Sequence, residues 1–247
     1  MRWEEPPCNF CRTAAYLTVF DTIDNRWYGR PLRLLECAQC KLVFASPRPV
    51  FEDYLQWLRP QFVDAYYRKL NRPHVRDIHR RIVLQAMSYA QEPKTLFDVG
   101  TGAGTLLLEA KQLGLEVAGN DINSFAVEQL WRKGIRAYEC PTNKLKIDEC
   151  FDIITCLDYL EHTYTPFEDL FWIAEHQSSG GILYLKTLFL GCPDHKREGS
   201  NWKLFHETHN YYYWPSTLLT LIETVGYEIR YIRTTNAIIH VIAERVR

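Results

Sequence analysis

The stretch Leu96-Phe97-Asp98-Val99-Gly100-Thr101-Gly102-Ala103-Gly104-Thr105-Leu106-Leu107-Leu108-Glu109-Ala110 decides how the rest of the chain is read. An apolar run meets glycines at alternate positions and then becomes leucine-rich at helical spacing, which predicts a strand, a tight turn and a helix. Glycines at such a junction let a ligand lie against bare backbone. The helix N-terminus behind them offers unpaired N–H groups and a partial positive charge to an anionic group. A dinucleotide fingerprint needs glycine or alanine at position 105; Thr105 stands there, so the spacing is Gly-x-Gly-x-Gly.

Outward from this turn, strands and helices alternate from Lys94 onward. Strand Thr95 to Val99 leads to a helix over 103–114, and strand Leu115 to Asn120 to a helix over 124–134 with Val127, Leu130 and Trp131 on its inner face. A short strand follows near Arg136 to Glu139, then another from Phe151 to Cys156. Thr165 as N-cap, Pro166 at the first position and Glu168 in a capping box open the next helix, whose buried stripe reads Phe167, Leu170, Phe171 and Ala174. Gly180-Gly181 is expected to stop it, with Ile182 to Leu188 a buried strand. Pro215 opens a last helix, and strands 227–233 and 237–244 end the chain. The pattern predicts a parallel α/β sheet covered on both faces. Such sheets bind ligands outside the carboxyl ends of their strands, where strand order reverses. Three segments reach that edge: the glycine turn; Asp121, whose carboxylate suits the two hydroxyls of a ribose; and Leu157-Asp158-Tyr159-Leu160-Glu161-His162.

The amino-terminal region reads differently. Cys8-x-x-Cys11 and Cys37-x-x-Cys40 flank a stretch of β-formers (Tyr16 to Phe20, Leu32 to Leu35), and two such turns brought together by strands close a four-thiolate zinc site. Four thiolates leave no open coordination position, so the expected role of the zinc is structural. Pro47, Pro49 and Pro60 punctuate the next part of the chain, around aromatic-rich helical segments at 54–57 and 62–70. Pro73 opens a helix with Val75, Ile78, Ile82, Val83 and Ala86 on one stripe, and His79 is expected to pack there with a hydrogen-bond partner. Tyr66 and Tyr67 sit where a lid over a ligand would lie. The organisation expected is a zinc module over residues 1–49, a helical linker or lid over 50–93, and an α/β domain over 94–247.

Composition removes several classes of function. Lysine plus arginine, 29, nearly cancels aspartate plus glutamate, 30, and no long basic run announces a nucleic-acid surface, although a local patch stays open. No apolar run approaches the roughly 18 residues of a membrane span, and the start lacks the basic-then-apolar pattern of a signal peptide. The expectation is a cytoplasmic protein with no membrane partner, its eight cysteines being metal ligands, reactive thiols or small core residues rather than disulfides.

Taken together, Asp98 to Gly104, Asp121, the segment Phe151 to His162 and the late His209-Asn210-Tyr211-Tyr212-Tyr213-Trp214-Pro215 resemble class I S-adenosylmethionine-dependent methyltransferases, in particular members whose catalytic domain follows a cysteine-rich module. The resemblance covers about residues 94–245, and more loosely Cys8 to Pro49. It implies a Rossmann-like seven-stranded sheet with an antiparallel terminal hairpin. It further implies that the methionyl part of the cofactor lies against Gly100, Gly102 and Gly104, with Asp98 near its ammonium end. Asp121, followed by Ile122, would hold the ribose, and Leu157 and Asp158 would line the sulfonium side. Thr142-Asn143-Lys144 occupies the segment that usually faces the adenine, but the usual acid is missing.

Methyl transfer is an in-line displacement governed by alignment, so few dedicated residues are needed. A base for a hydroxyl or amine acceptor is expected from His162 or His209, with His206 and Glu207 close by in the chain. Trp202, Tyr211, Tyr212 and Tyr213 are candidates either for an acceptor-pocket wall or for core packing. The leading expectation is a small-molecule or carbohydrate acceptor methylated at O or N. An RNA methyltransferase and a non-catalytic cofactor-binding protein are the alternatives, and oligomeric state is left open.

Overall fold

The computed structural model describes residues 1–14, 17–23, 31–58 and 72–246. The expected helix over 62–70, with Tyr66 and Tyr67, and Tyr16 lie outside the described residues. In chain order the strands are β1 (Trp3–Glu4), β2 (Leu17–Ile23), β3 (Leu32–Cys37), β4 (Val43–Ala45), β5 (Arg48–Pro49), β6 (Thr95–Val99), β7 (Glu116–Asp121), β8 (Arg136–Glu139), β9 (Phe151–Leu157), β10 (Gln177–Leu188), β11 (Tyr211–Tyr212), β12 (Tyr227–Thr234) and β13 (Ile238–Arg245). The helices are α1 (Phe51–Leu58), α2 (Pro73–Met87), α3 (Thr105–Gln112), α4 (Ser124–Arg132), α5 (Pro166–Glu175), α6 (Pro193–Glu198) and α7 (Pro215–Thr224).

Seven strands form the main sheet in the order β12-β13-β10-β9-β6-β7-β8. The five strands from β10 to β8 are mutually parallel, while β13 runs antiparallel to both β10 and β12. The chain builds outward from β6 through β7 to β8, then crosses back to lay β9 on the other side of β6. That reversal opens a crevice at the carboxyl ends of β6 and β9, where the main-chain ends of Val99, Asp121 and Leu157 converge. Helices α2, α3 and α4 cover one face through Ile82, Val83, Leu106, Leu107, Val127 and Leu130. The other face packs Phe97, Ile154, Leu170, Trp172, Leu185, Leu218 and Ile222.

That second core does not stop at the main sheet. Cys8, Leu34, Cys37 and the run Leu42 to Ala45 are buried in the same cluster as Leu160, Leu185 and Tyr213. The physical link is β11, which leaves the long connection after β10 and pairs with β4, completing a four-stranded sheet β11-β4-β3-β2. Tyr211, Tyr212 and Tyr213 are 1, 0 and 0% exposed, so they pack as core residues. Their hydroxyls tie down the neighbouring loops: Tyr213 donates to the Leu160 carbonyl at 2.8 Å and Tyr211 to the Tyr164 carbonyl at 3.2 Å. Trp202 is likewise buried, at 1%. Arg48, 5% exposed, completes the seam by donating to Glu4 at 2.7 Å and to the Tyr211 hydroxyl at 3.2 Å, with its guanidinium 4.2 Å from the Tyr164 ring centroid.

Several local expectations need correction. Thr165 makes no side-chain cap bond, and Glu168 is drawn away from a capping box to the amino-terminal module, where Asn9 donates to it at 2.8 Å and Arg12 pairs with it at 2.5 Å. In α5, Phe171 is 52% exposed while Trp172 and Ile173 fill the core, because Trp172 packs on the Phe97 ring of the sheet and donates to the Leu145 carbonyl at 2.8 Å. Helix α5 ends at Glu175, well before Gly180-Gly181. Those glycines sit instead in a register shift of β10, where a Cβ on Gly181 would lie 2.6 Å from Gln177 Nε2. Trp131 is 57% exposed and caps the sheet edge by donating to the Ala137 carbonyl at 2.9 Å, and Ile78 on α2 faces outward.

Candidate active site

The crevice is built first by the glycine turn. Gly100, Gly102 and Gly104 all adopt positive φ, +70°, +50° and +67°, and Gly104 is the left-handed N-cap residue of α3. The three are not equivalent. A Cβ on Gly100 would lie 2.5 Å from Tyr159 Cδ2 and one on Gly104 2.1 Å from Leu130 Cδ2, whereas one on Gly102 would meet nothing within 4 Å. Gly102 is therefore the residue that presents bare backbone to open space; its neighbours are glycine so that Tyr159 and α4 can pack close.

Asp121 at the end of β7 pins this turn. Its Oδ2 accepts the Gly102 N–H at 2.8 Å and its Oδ1 accepts the Asn123 N–H at 2.8 Å, while burial pushes its carboxyl above the usual range. Each oxygen keeps a further lone-pair direction for a ligand hydroxyl. Ile122 follows half-buried at the same rim. Asp98, at the end of β6, is 4% exposed. Burial pushes its carboxyl up to about 7 even though Thr155 donates to it at 2.6 Å, and the charge of Asp121 adds to the rise. Two further buried polar atoms in this neighbourhood, Thr101 Oγ1 and Asn120 Oδ1, lack a hydrogen-bond partner among the described residues. An open glycine cradle, orphaned polar atoms and a buried carboxylate without a cation fit a polar, cation-bearing nucleoside.

Leu157 ends β9 and Asp158 follows it in a left-handed conformation with φ +50°, its carboxylate held by Lys186 at 2.5 Å. His79 on α2 approaches the same pair. Its Nδ1 is buried without a partner among the described residues, contrary to the expected hydrogen bond, and burial first and the Lys186 charge second lower its proton affinity. Thr142-Asn143-Lys144 forms a single 3-10 turn. It is fastened by hydrogen bonds to the Thr142 hydroxyl from Asn120 and Tyr159, both at 2.9 Å, and by Asn143 N donating to Asp169 at 3.0 Å.

His162 and His209 come together across the crevice rim with ring centroids 4.6 Å apart. Asn210 is the clamp, donating its N–H to the Glu161 carbonyl at 2.6 Å and its side-chain amide to the His162 carbonyl at 2.8 Å. His162 Nδ1 donates to the Thr208 carbonyl at 2.9 Å and His209 Nδ1 to the Leu204 carbonyl at 2.8 Å. Both imidazoles are thereby fixed as tautomers whose Nε2 carries a lone pair. Burial lowers both, His209 well below the ordinary value. Glu161 joins them: it is 3% exposed and pushed up to about 8 by burial, with Thr187 donating to its carboxylate at 2.7 Å. His206 Nε2 lies 3.3 Å from Glu207 Oε1 beside this group.

At the other end, the four amino-terminal cysteines converge with all sulfurs within 4.8 Å of one another, and Cys8 and Cys40 are 3.5 Å apart. Four ligands at about 2.3 Å from a tetrahedral centre stand about 3.8 Å apart, so the cluster has the size of a zinc thiolate site. The two turns share one build: Arg12 N donates to the Cys8 carbonyl at 2.9 Å and Lys41 N to the Cys37 carbonyl at 2.8 Å, with Arg12 and Lys41 both left-handed. The contact with Cys40 lowers the Cys8 thiol and raises that of Cys40. None of the eight cysteines, all of them among the described residues, forms a disulfide.

A glycine cradle, an acid after the second strand and a crevice at the switch point of this strand order define a nucleoside-binding α/β protein of the methyltransferase type. Residues 67–232 match the family model for a methyltransferase domain. The chain belongs to that family, the S-adenosylmethionine-dependent methyltransferases. In sequence it is 29% identical over 103 residues to a ubiquinone biosynthesis O-methyltransferase of Azoarcus sp., and 26% identical over 104 residues to a mitochondrial protein of the same description from Schizosaccharomyces pombe. Each match covers 38% of this chain, and they span 44% and 38% of those relatives. In fold it is similar to the Burkholderia thailandensis 1,6-didemethyltoxoflavin-N1-methyltransferase, a structure with bound S-adenosylhomocysteine (TM-score 0.62, 16% identity, 85% of this chain and 97% of that one). It is also similar to the magnesium protoporphyrin IX methyltransferase of Synechocystis PCC 6803 (TM-score 0.64, 17% identity, 78% and 99%). Among the described residues no helix is long and apolar enough to cross a membrane.

Proposed function

We propose that the protein transfers a methyl group from S-adenosylmethionine to an oxygen or nitrogen of a small-molecule or carbohydrate acceptor. The observation that carries this reading is the pinning of open Gly102 by Asp121 at the same sheet edge that holds the His162–His209 pair. Gly100, Gly102 and Gly104 would cradle the methionyl part, Asp98 would pair with its ammonium, Asp121 and Ile122 would meet the ribose, and Leu157 and Asp158 would flank the sulfonium. Bound there, the cofactor supplies an activated methyl carbon on a positively charged sulfur. The chain's own task is to align an acceptor with it and to accept the acceptor's proton, for which the Nε2 lone pairs of His162 and His209 are poised. The relatives' named activities, in ubiquinone biosynthesis and on 1,6-didemethyltoxoflavin, support a small acceptor.

Residues 1–49 serve in this reading as a structural zinc module, 50–93 as the helical connection and 94–247 as the catalytic unit. Zinc held by Cys8, Cys11, Cys37 and Cys40 would fix the four-stranded sheet to which β11 belongs. Calorimetric titration with S-adenosylhomocysteine, followed by turnover with a panel of phenols, amines and sugar nucleotides, tests the proposal. Saturable one-to-one binding is expected; no heat and no melting shift with either cofactor form would overturn it.

A further inference from the structure

We propose that Glu161, His162 and His209 form a second metal site, one that holds a divalent transition-metal ion with an open coordination position for an acceptor oxygen. This rests on the reading of the same site given above and narrows it to hydroxyl acceptors. One ligand atom of each of the three residues lies within 4.8 Å of the others. Two imidazoles and a carboxylate are the donor set of catalytic zinc sites and of open facial sites for other first-row ions, in which substrate or water takes the positions the protein leaves free.

The arrangement around the three residues is the second observation. Metal-bound histidines characteristically donate the nitrogen that faces away from the ion, which fixes the tautomer and aims the ring. Here both do so, to the Thr208 and Leu204 carbonyls, and so Nε2 is the nitrogen free to ligate in each case. The carboxylate is oriented in the same way by the Thr187 hydroxyl. Glu161 is buried, and His162 and His209 are only partly exposed, so the carboxylate forms the inner side of the triad. Neither Lys nor Arg forms an ion pair with Glu161 among the described residues, while neighbouring Asp158 has Lys186. A carboxylate oxygen and two imidazole nitrogens within 4.8 Å of one another are three lone-pair ligands that one cation can draw together, displacing any proton Glu161 holds.

With an acceptor hydroxyl on the open position, the ion lowers the pKa of the O–H group and its proton leaves to solvent. An oxygen lone pair then forms the new C–O bond as the C–S bond breaks, its electron pair staying on sulfur. The products are the methyl ether, uncharged S-adenosylhomocysteine and one released proton. His162 and His209 act in this state through the ion.

Manganese separates this site from the thiolate cluster, because nitrogen and oxygen donors suit Mn2+ while four thiolates select zinc. The full-length protein, its thiolates filled with one equivalent of zinc, is titrated with Mn2+ and the free ion followed by its electron paramagnetic resonance signal. One Mn2+ per chain is expected, with affinity at least tenfold weaker in His162→Gln/His209→Gln and in the conservative Glu161→Gln, and zinc titration should reach two equivalents in the wild type only. Failure of the wild type to take up any ion beyond the thiolate equivalent overturns the proposal, as does unchanged uptake by the variants. Binding of S-adenosylhomocysteine is measured alongside. If it is retained while no second ion binds, only this proposal falls; if it is absent from the wild type, the functional reading itself falls.

Discussion

Replacing Asp98 with asparagine should make the cofactor-free protein more stable and a poorer binder of its cofactor. The carboxyl rises from its ordinary 3.8 to about 7 on burial. At about 1.4 kcal/mol per pH unit, the folded protein therefore carries up to about 4 kcal/mol of destabilisation at high pH. The sign follows from a folded value above the unfolded one: the stabilising contribution is complete below the unfolded value, falls away as pH rises and is lost once pH passes the folded value. Asparagine keeps an oxygen for the Thr155 hydroxyl, which donates at 2.6 Å, but has no proton to lose. Other titrating groups are common to both proteins and cancel in the difference. Between about pH 5 and 8 the wild type should lose about 2 to 3 kcal/mol relative to Asp98→Asn, which for a chain of this size is a melting gap of about 5 to 10 °C. The assay is thermal melting of both proteins across that range, with and without S-adenosylhomocysteine, whose ammonium should close much of the gap in the wild type. Calorimetry should show cofactor affinity falling by about 10- to 100-fold in the variant, the loss of one charge-assisted contact. Parallel melting profiles from pH 5 to 8 would refute the reasoning, since Asp98 would then ionise in the fold at no cost.

Other perturbations act on the remaining contacts. Gly104→Ala combines positive φ with a Cβ 2.1 Å from Leu130, which is fully buried and cannot retreat, so denaturant unfolding should register a loss of about 2 to 4 kcal/mol. Asp121→Ala removes the acceptor of the Gly102 and Asn123 N–H groups, and S-adenosylhomocysteine affinity measured calorimetrically should fall at least tenfold with only a modest change in melting temperature. Chelation of zinc, or Cys37→Ser, should lower the melting temperature sharply and abolish turnover, with circular dichroism recording the loss of β structure. Arg48→Met should cost about 2 to 3 kcal/mol of stability by urea titration, having stripped the seam of its bonds to Glu4 and Tyr211.

Periodicity and glycine placement make the main sheet legible, because each β–α unit is a local matter of apolar spacing and chain punctuation. The three segments that meet at the crevice are visible for the same reason: each follows directly on a strand end. The features hidden from sequence depend on contacts between distant residues. The capping box at Thr165 is plausible locally, but Asn9 and Arg12 compete for Glu168 from more than 150 positions away. Phe171 and Trp172 are equally apolar in sequence, and only the distant Phe97 ring and the Leu145 carbonyl, which receive Trp172, decide which one is buried. The roles of the glycines separate only when their neighbours Tyr159 and Leu130 are in place. Asp169 is silent in the sequence, although it gathers Tyr159, Thr163 and the Asn143 N–H around the site and is pushed up to about 6 by burial; its position one residue after Glu168 carries no signal.

The two-residue strand at Tyr211–Tyr212 has a consequence for how the molecule can be taken apart. It belongs to the carboxy-terminal half by covalent connection and to the amino-terminal half by hydrogen bonding, so the border in sequence is not a border in space. A fragment beginning near residue 94 would keep the glycine turn and Asp121 yet leave Tyr211 and Tyr212 as an unpaired edge with their aromatic rings uncovered. Such a fragment should self-associate, and the loop bearing His209 would lose its anchor. The first fifty residues are therefore a built-in template on which the tyrosine loop and its His209 are moulded, and any exchange of that segment between relatives has to carry the loop along with it.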